Sequence, residues 1–451
     1  MTGPRIGGAP PGFGEALRFW IKLGFISFGG PAGQIAVMHQ ELVEKRRWIS
    51  ERRFLHALNY CMLLPGPEAQ QLATYLGWLM HRGRGGIAAG VLFVLPSLFI
   101  LIALSWLYVT HGEQPLVASL FYGIKPAVTA IVLHAAYRIG SRSLRNASLW
   151  AIAAAAFIAI FALNLPFPLI VVAAALIGHF GGRFGDFFAP ARFAMDHPAS
   201  TSKNFGPALI DDDTPTPEHA RFSRARLARA MLIAGVLWLV PMALLCARFG
   251  WEGTLTQMGW FFTKAALLTF GGAYAVLPYV FQGAVEHHGW LGATQMIDGL
   301  ALGETTPGPL IMIIAFVGFL GGHGQALFGP EHLFAAGAAA AMVATWFTFL
   351  PSFFFIFAGG PLVESTHGNL KFTAPLTAIT AAVVGVILNL ALFFGYHVFW
   401  PKGFPAGADA GALLIALLAA LALFVLKRGV IEVVIGAALC GVALKAIASM
   451  I

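Results

Sequence analysis

The sequence predicts an all-α polytopic membrane protein with two inverted-topology repeats, whose roughly thirteen apolar segments include broken or re-entrant helices. Three observations carry that prediction. The 451 residues are 58% apolar and only 11% charged, with a mean hydropathy of +0.77, whereas a soluble domain devotes about a quarter of its residues to charge. Residues 22–30 (Lys-Leu-Gly-Phe-Ile-Ser-Phe-Gly-Gly) return 242 positions later as residues 264–272 (Lys-Ala-Ala-Leu-Leu-Thr-Phe-Gly-Gly). At the same offset Trp48 meets Trp290, and Pro65-Gly66-Pro67 meets Pro307-Gly308-Pro309. Finally, the basic loop of the first copy, with Lys45, Arg46, Arg47, Arg52 and Arg53, has no Lys or Arg in its twin, and none occurs between 265 and 370.

In chain order, residues 1–13 are rich in Gly and Pro and lack the charged-then-apolar order of a cleaved signal, so they read as a flexible tail. The first repeat, 14–182, holds apolar segments at 14–38, 54–80, 86–110, 118–138, 148–165 and 167–182. A polar stretch, 183–228, follows as a cytoplasmic linker. Its part up to 222, with Asp211-Asp212-Asp213, Pro215 and Pro217, reads as partly disordered and not as a folded domain. A connecting transmembrane helix lies in 229–252. The second repeat, 253–451, holds segments at 255–280, 293–320, 333–358, 372–399, 410–426 and 429–450. One odd connecting helix makes matched segments start on opposite sides, which is the inverted repeat of many transporters. The loop charges agree, because cytoplasmic loops carry the excess of Lys and Arg.

Charge also constrains how the segments cross. Arg5 and Arg18 precede the first segment, Lys45 to Arg53 follow it, and Arg82 and Arg84 follow the second. All become cytoplasmic if each of these segments dips in and returns on one side. The arrangement expected is nine crossings plus four re-entrant segments turning at Gly29-Gly30-Pro31, Pro65-Gly66-Pro67, Gly271-Gly272 and Pro307-Gly308-Pro309. The N-terminus then lies in the cytoplasm and the C-terminus outside, in the plasma (inner) membrane. Arg248, Lys402 and Lys445 run against that pattern. Irregular backbone at such depth is tolerated only where protein or a water-filled cavity satisfies it.

Several intramembrane polar residues are candidates for the chemistry. Lys22 and Lys264 occupy matched positions; a lysine there costs about 2.5–3.5 kcal/mol by insertion scales. Both would attract an anion, although snorkelling to the interface is the competing explanation. The broken segments, with Gly29, Gly30, Gly271 and Gly272 in one pair and the two Pro-Gly-Pro turns in the other, would expose N–H donors and helix N-termini suited to anions. Ser27, Gln70, Gln71, Thr269, Thr305 and Thr306 add hydroxyl or amide groups. The acids do not match by position: Glu68 follows the first Pro-Gly-Pro and Glu304 precedes the second. Each could serve gating or proton coupling, or neutralise a lysine. Asp298 reads as lying at the water boundary. Lys125 and Asn389, without twins, pair with a carboxylate or line a route. Leu95-Pro96-Ser97 and Leu350-Pro351-Ser352 read as proline kinks relieved by serine. His287-His288 read as surface residues.

Other classes are disfavoured. No phosphate-binding Gly-x-x-x-x-Gly-Lys-Ser/Thr loop and no His-Glu-x-x-His occur, so neither a nucleotide nor a metal cofactor is expected. Cys61, Cys246 and Cys440 have no metal-ligand spacing and read as small buried hydrophobes. The net charge of +8 follows the positive-inside distribution and does not call for a nucleic-acid partner. The lipid bilayer is the expected environment, and a homodimer is one assembly to be tested.

At these motifs the chain resembles the chromate ion transporter family. The resemblance rests on residues 25–30 with Pro31 and Gly33, Trp48, and residues 65–71 leading to Tyr75-Leu76-Gly77-Trp78. In the second half it rests on residues 269–272, Leu277-Pro278, Trp290, and residues 304–310 leading to Ala315-Phe316-Val317-Gly318. Both Leu-Pro-Ser triplets fit as well. Ala273 stands where a twin of Pro31 would be expected, so the halves are not interchangeable. The resemblance implies export of chromate from the cytoplasm, with resistance to chromate, and sulfate as a structural mimic and competitor. A carrier of sulfate or another oxyanion is the neighbouring expectation; a polytopic membrane enzyme using Glu68 or Glu304 as its acid is the more distant one.

Overall fold

The computed structural model describes residues 11–28, 30–181, 205–365 and 373–448. The first repeat begins with α1 (Phe13–Ile26) and α2 (Gly30–His39), which continues into a π-helical turn at Gln40–Lys45. Then come α3 (Glu51–Leu63), α4 (Glu68–His111), α5 (Pro115–Ser143), α6 (Ala147–Phe161) and α7 (Phe167–Gly181). After α8 (Arg224–Phe249) the second repeat runs through α9 (Thr254–Leu267), α10 (Ala273–Phe281) with its own π turn at Gln282–His287, and α11 (Ala293–Thr305). It closes with α12 (Ile313–Gly324), α13 (Leu333–Ser365), α14 (Thr373–Phe399), α15 (Ala410–Ala420) and α16 (Val430–Ala448). The π turn and α3 recur at the 242-residue offset with the same bounds as the second π turn and α11.

Local chemistry sets the ends of these helices. Ser50 caps α3, its hydroxyl accepting from the Arg53 N–H, and Asn146 and Asp409 cap α6 and α15. Arg82, with φ of 57°, breaks α4 after about its first four turns. That first segment is therefore the counterpart of α12, which in the second repeat ends outright.

The broken segments are hairpins. With 14 residues α1 is about 21 Å long, short of the roughly 30 Å hydrocarbon core. Its start meets the end of the α2 π turn: Glu15 lies 3.9 Å from Arg46, and Phe19 packs edge-on against Trp48 at 5.4 Å. In a straight helical path those residues would stand about 45 Å apart. The twin contact, Phe261 against Trp290, is also edge-on at 5.4 Å. The second hairpin, α3 with the first segment of α4, also returns to where it began, because Arg53 and Tyr75 both reach Glu364.

The hairpins of the two repeats enter from opposite faces. On one face His81 contacts the Pro11 carbonyl (2.6 Å) and Phe13, joining both hairpins of the first repeat. From there α4 crosses to the other face, where Trp106 meets His323 of α12 and Tyr108 bonds Asp298 of α11. Six helices are long and apolar enough to span (α4, α5, α8, α13, α14 and α16). Among the described residues, the shorter apolar helices α6, α7, α12 and α15 accompany them. The inverted repeat with re-entrant helices is thus present in the fold.

Three expectations change. Residues 205–223 form an ordered strap on the first face: Ile210 bridges Ile49, Ser50 donates to Asp212 (2.6 Å), and Arg53 donates to the Thr214 carbonyl. The N–H of Ala208, donating to Asp211, holds that carboxyl below its usual range, helped by the Asp212 N–H, Arg47 and Arg53. Two of the acids that suggested disorder are instead held by hydrogen bonds, Asp211 by backbone N–H groups of the strap and Asp212 by the Ser50 hydroxyl. Residues 183–204 lie outside the described residues. Cys61 is buried, but Cys246 is only partly so and Cys440 is exposed, since α16 turns that side outward. His288 is not a free surface residue: it stacks on Trp290 at 4.4 Å, and burial lowers its pKa to about 4.

Candidate functional site where the four breaks meet

The breaks of one repeat hydrogen-bond to the breaks of the other. Gly66 N–H donates to the Thr269 carbonyl at 2.7 Å, and Gly308 N–H donates to the Ser27 carbonyl at 2.8 Å. These bonds are twins, because Gly66 corresponds to Gly308 and Ser27 to Thr269. A local two-fold relation therefore passes through the crossing of the two Pro-Gly-Pro turns and the two Phe-Gly-Gly turns. Each glycine needs its freedom here. Gly66 and Gly308 have φ of 123° and 104°, in the region that favours glycine. A Cβ on Gly66 would stand 2.5 Å from Ser352 Oγ, and one on Gly308 would stand 2.9 Å from Ser97 Cβ.

That proximity corrects the reading of the Leu-Pro-Ser triplets as simple kinks. Ser97 and Ser352 abut the turns of the opposite repeat. Ser97 Oγ has no partner among the described residues, and Ser352 accepts weakly from Gln71 at 3.4 Å. Two polar clusters result, one at each turn. In the first, Gln34 Nε2 donates to the Gly308 carbonyl (2.5 Å) beside Ser27 and Ser97. In the second, Gln71 Nε2 donates to the Pro65 carbonyl (2.7 Å), while Gln70 donates to Thr74 (3.0 Å). Buried without partners among the described residues remain Ser27 Oγ, Ser97 Oγ and the amide oxygens of Gln34, Gln70 and Gln71. Buried polar atoms rarely go unpaired without an unseen water, ion or ligand. Gln34 was missed in the sequence because nothing in its twin, Val276, signals it.

The other candidates divide. Pro65, Pro67, Pro307 and Pro309 frame the turns. Gly30, Gly271 and Gly272 have φ of 70°, 80° and 99°; Gly29 lies outside the described residues. Thr269, Thr305 and Thr306 spend their hydroxyl protons on carbonyls of their own helices. Glu68, partly exposed at the N-terminus of α4, has no hydrogen-bond partner among the described residues. Glu304 is 5% exposed and accepts a hydrogen bond from the Tyr274 hydroxyl, within the field of Arg138. Lys22 and Lys264 are exposed on the outer sides of α1 and α9, and Lys264 points back over the Trp260 ring at 5.6 Å, away from the break. Asp298, at 2% exposed, is no boundary residue: it accepts from Tyr108 (2.8 Å) and pairs with Lys125 (3.4 Å). No cluster that could hold a metal ion occurs among the described residues.

The family model described as chromate transporter matches residues 14–179 and 256–442. The chain belongs to the chromate transporter family. A "Chromate transport protein" of Pseudomonas aeruginosa is 33% identical over 383 residues, covering 84% of this chain and 80% of the relative. Another "Chromate transport protein", from Cupriavidus metallidurans, is 29% identical over 380 residues, covering 84% and 81%. A "Probable chromate transport protein" of Synechococcus elongatus is 27% identical over 382 residues, covering 84% of each. No solved structure matches. The two matched stretches of the chromate transporter model contain all four breaks and leave out the strap and α8.

Proposed function

We propose that the chain is a secondary transporter that exports chromate from the cytoplasm and thereby confers resistance, with the four crossing breaks as its substrate site. The observation that supports this reading is the reciprocal pair of hydrogen bonds joining Gly66 to Thr269 and Gly308 to Ser27, which brings the breaks of the two repeats together, where inverted-repeat transporters hold their substrate. The hydroxyls of Ser27 and Ser97 are free to donate to an oxyanion, and the amide oxygens of Gln34, Gln70 and Gln71 to hold its waters. Glu68 and Glu304 are the gating or proton-coupling candidates. Lys22 and Lys264 supply positive potential from outside the ring of breaks rather than direct contact. The strap face is assigned to the cytoplasm on its basic residues, in the plasma membrane.

Driving force follows from charge. With the interior negative, each charge is worth about 2.3 kcal/mol per 100 mV, so an outgoing dianion gains about twice that. Transport rather than catalysis is the activity, and sulfate competes. The test is radiolabelled chromate flux in oriented vesicles under imposed potentials of either sign, repeated with excess sulfate and with the pH gradient collapsed. Flux that follows the potential and falls with sulfate supports the proposal. Flux of sulfate but not chromate would make the chain a carrier for another oxyanion.

A further inference from the structure

A cavity of about 1020 Å³ opens on the face opposite the strap, between the start of α5 and the ends of α14 and α16, with Thr294 of α11 at its edge. Its charged lining is Lys125, Lys445 and Asp409, with Tyr122, Ser119 and His397 beside them. Asp409 is already engaged, accepting from the Ala412 N–H at 2.9 Å and the Tyr122 hydroxyl at 2.7 Å. Lys445 rides over the Tyr122 ring at 4.3 Å, so its ammonium is near the wall rather than in an ion pair. The cavity therefore holds two ammonium groups against one satisfied carboxylate.

Lys125 stands at the inner end with a divided allegiance. It is 26% exposed, and its Nζ lies 3.4 Å from Asp298 Oδ2. Charge-assisted hydrogen bonds close to about 2.7–2.9 Å, so this pair is not fully drawn together. An ammonium has three donors, and a single carboxylate oxygen occupies at most one of them here. Asp298 keeps a second anchor in the Tyr108 hydroxyl, while its Oδ1 is buried without a partner.

We propose that this cavity is a vestibule for a tetrahedral oxyanion, bound between Lys125 and Lys445, and that the anion competes with Asp298 for Lys125. The occupant is a free inorganic oxyanion or the phosphate of a lipid headgroup, which share this chemistry. Because Lys125 lies on α5 of the first repeat and Asp298 on α11 of the second, occupancy of the vestibule loosens the pair that ties the repeats together on this face. The vestibule goes beyond the site at the breaks and does not depend on it.

The test is a calorimetric titration of the purified full chain with inorganic sulfate, alongside native mass spectrometry for retained phospholipid. Asp298→Asn frees Lys125 and is expected to tighten sulfate binding about tenfold, while Lys125→Gln and Lys445→Gln weaken it about tenfold or more. Thermal unfolding of each variant checks that it folds. If Lys125 serves only to neutralise Asp298, neither Asp298→Asn nor Lys125→Gln changes sulfate binding, and the proposal falls. It falls equally if sulfate binding survives both lysine substitutions and disappears in a Ser27→Ala/Ser97→Ala chain. Sulfate binding to delipidated protein identifies a free oxyanion. Phospholipid retained by the parent chain, lost from the lysine variants and not displaced by sulfate, identifies the headgroup.

Discussion

All nine residues of α10 are buried, but of the ten in its twin α2 only Gln34, Ile35 and Met38 are. In the second repeat α10 lies against α14 and α7, and α11 against α5, α14 and α16. In the first, α2 packs mainly on α4 and its own π turn, and α3 mainly on α4. Ala32 and Ala36 are left exposed in one, Arg52 and Asn59 in the other. Two copies of one hairpin pair are thus held in two conformations. The second repeat packs its hairpins against the α5–α14 scaffold, and the first leaves one side of α2 and of α3 exposed. Inverted repeats alternate access by rocking one element against another about a fixed site, and the contrast between α2 and α10 is what one end of such a cycle requires.

The polar chemistry is just as unequal. Gln34, Glu68, Gln70 and Gln71 of the first repeat correspond to Val276, Leu310, Met312 and Ile313 of the second. One repeat supplies the side chains; the other supplies mainly the frame and backbone.

The largest expected effect tests what the repeats still share. Gly66→Ala and Gly308→Ala each force a side chain into the opposite repeat at positive φ, a strain of about 1–3 kcal/mol before the clash is counted. Both should abolish chromate flux in vesicles, to a similar degree, because the two positions are twins. A large difference between them would break the two-fold relation at the site.

The next effect sharpens the contrast in packing. In a chain whose exposed Cys440 and partly exposed Cys246 are replaced, Ala36→Cys should react with a membrane-impermeant thiol reagent at least tenfold faster than Ala275→Cys, since access controls thiol reactivity. Ala275 is 0% exposed. Equal rates would mean that the first repeat is sealed as well.

A smaller effect tests the division of polar chemistry. Gln34→Val, copying Val276, removes the bond to the Gly308 carbonyl and leaves a buried acceptor unpaired, at about 1–3 kcal/mol. Chromate flux should fall about tenfold, while Val276→Gln restores none of it. Smallest of all, Lys22→Gln and Lys264→Gln should each weaken apparent chromate affinity about twofold to threefold, and less in high salt, as expected of exposed charges. Loss of flux on either substitution would place that lysine in contact with substrate.

The inversion and the positions of all four breaks could be read in the sequence because both rest on long-range regularities. A Gly-Gly or Pro-Gly-Pro inside an apolar run has few explanations, and loop charge reports orientation independently. The hairpin bases were legible for the same reason: Trp48 and Trp290 recur and each closes on a phenylalanine of its own repeat. What escaped was whatever depends on which surfaces face each other. Gln34 carries no twin, and Ser97 looked like a local kink until the fold set it against Gly308. Asp298 resembled a boundary acid because neither Lys125 nor Tyr108, far away in sequence, announces itself as its partner. The strap looked like solvated linker because the groups it meets, Ser50 for Asp212 and Arg53 for the Thr214 carbonyl, lie about 160 positions earlier.

The central claim is that substrate passes through the ring of breaks, touching the free hydroxyls of Ser27 and Ser97. The direct measurement is radiolabelled chromate flux by the Ser27→Ala/Ser97→Ala double variant in proteoliposomes, with its thermal unfolding recorded beside the parent chain. Neither hydroxyl has a protein partner among the described residues, so unfolding should be unchanged while flux falls about tenfold or more, as when donors aimed at a buried oxyanion are removed. Flux equal to the parent's, in a chain of equal stability, would contradict the account.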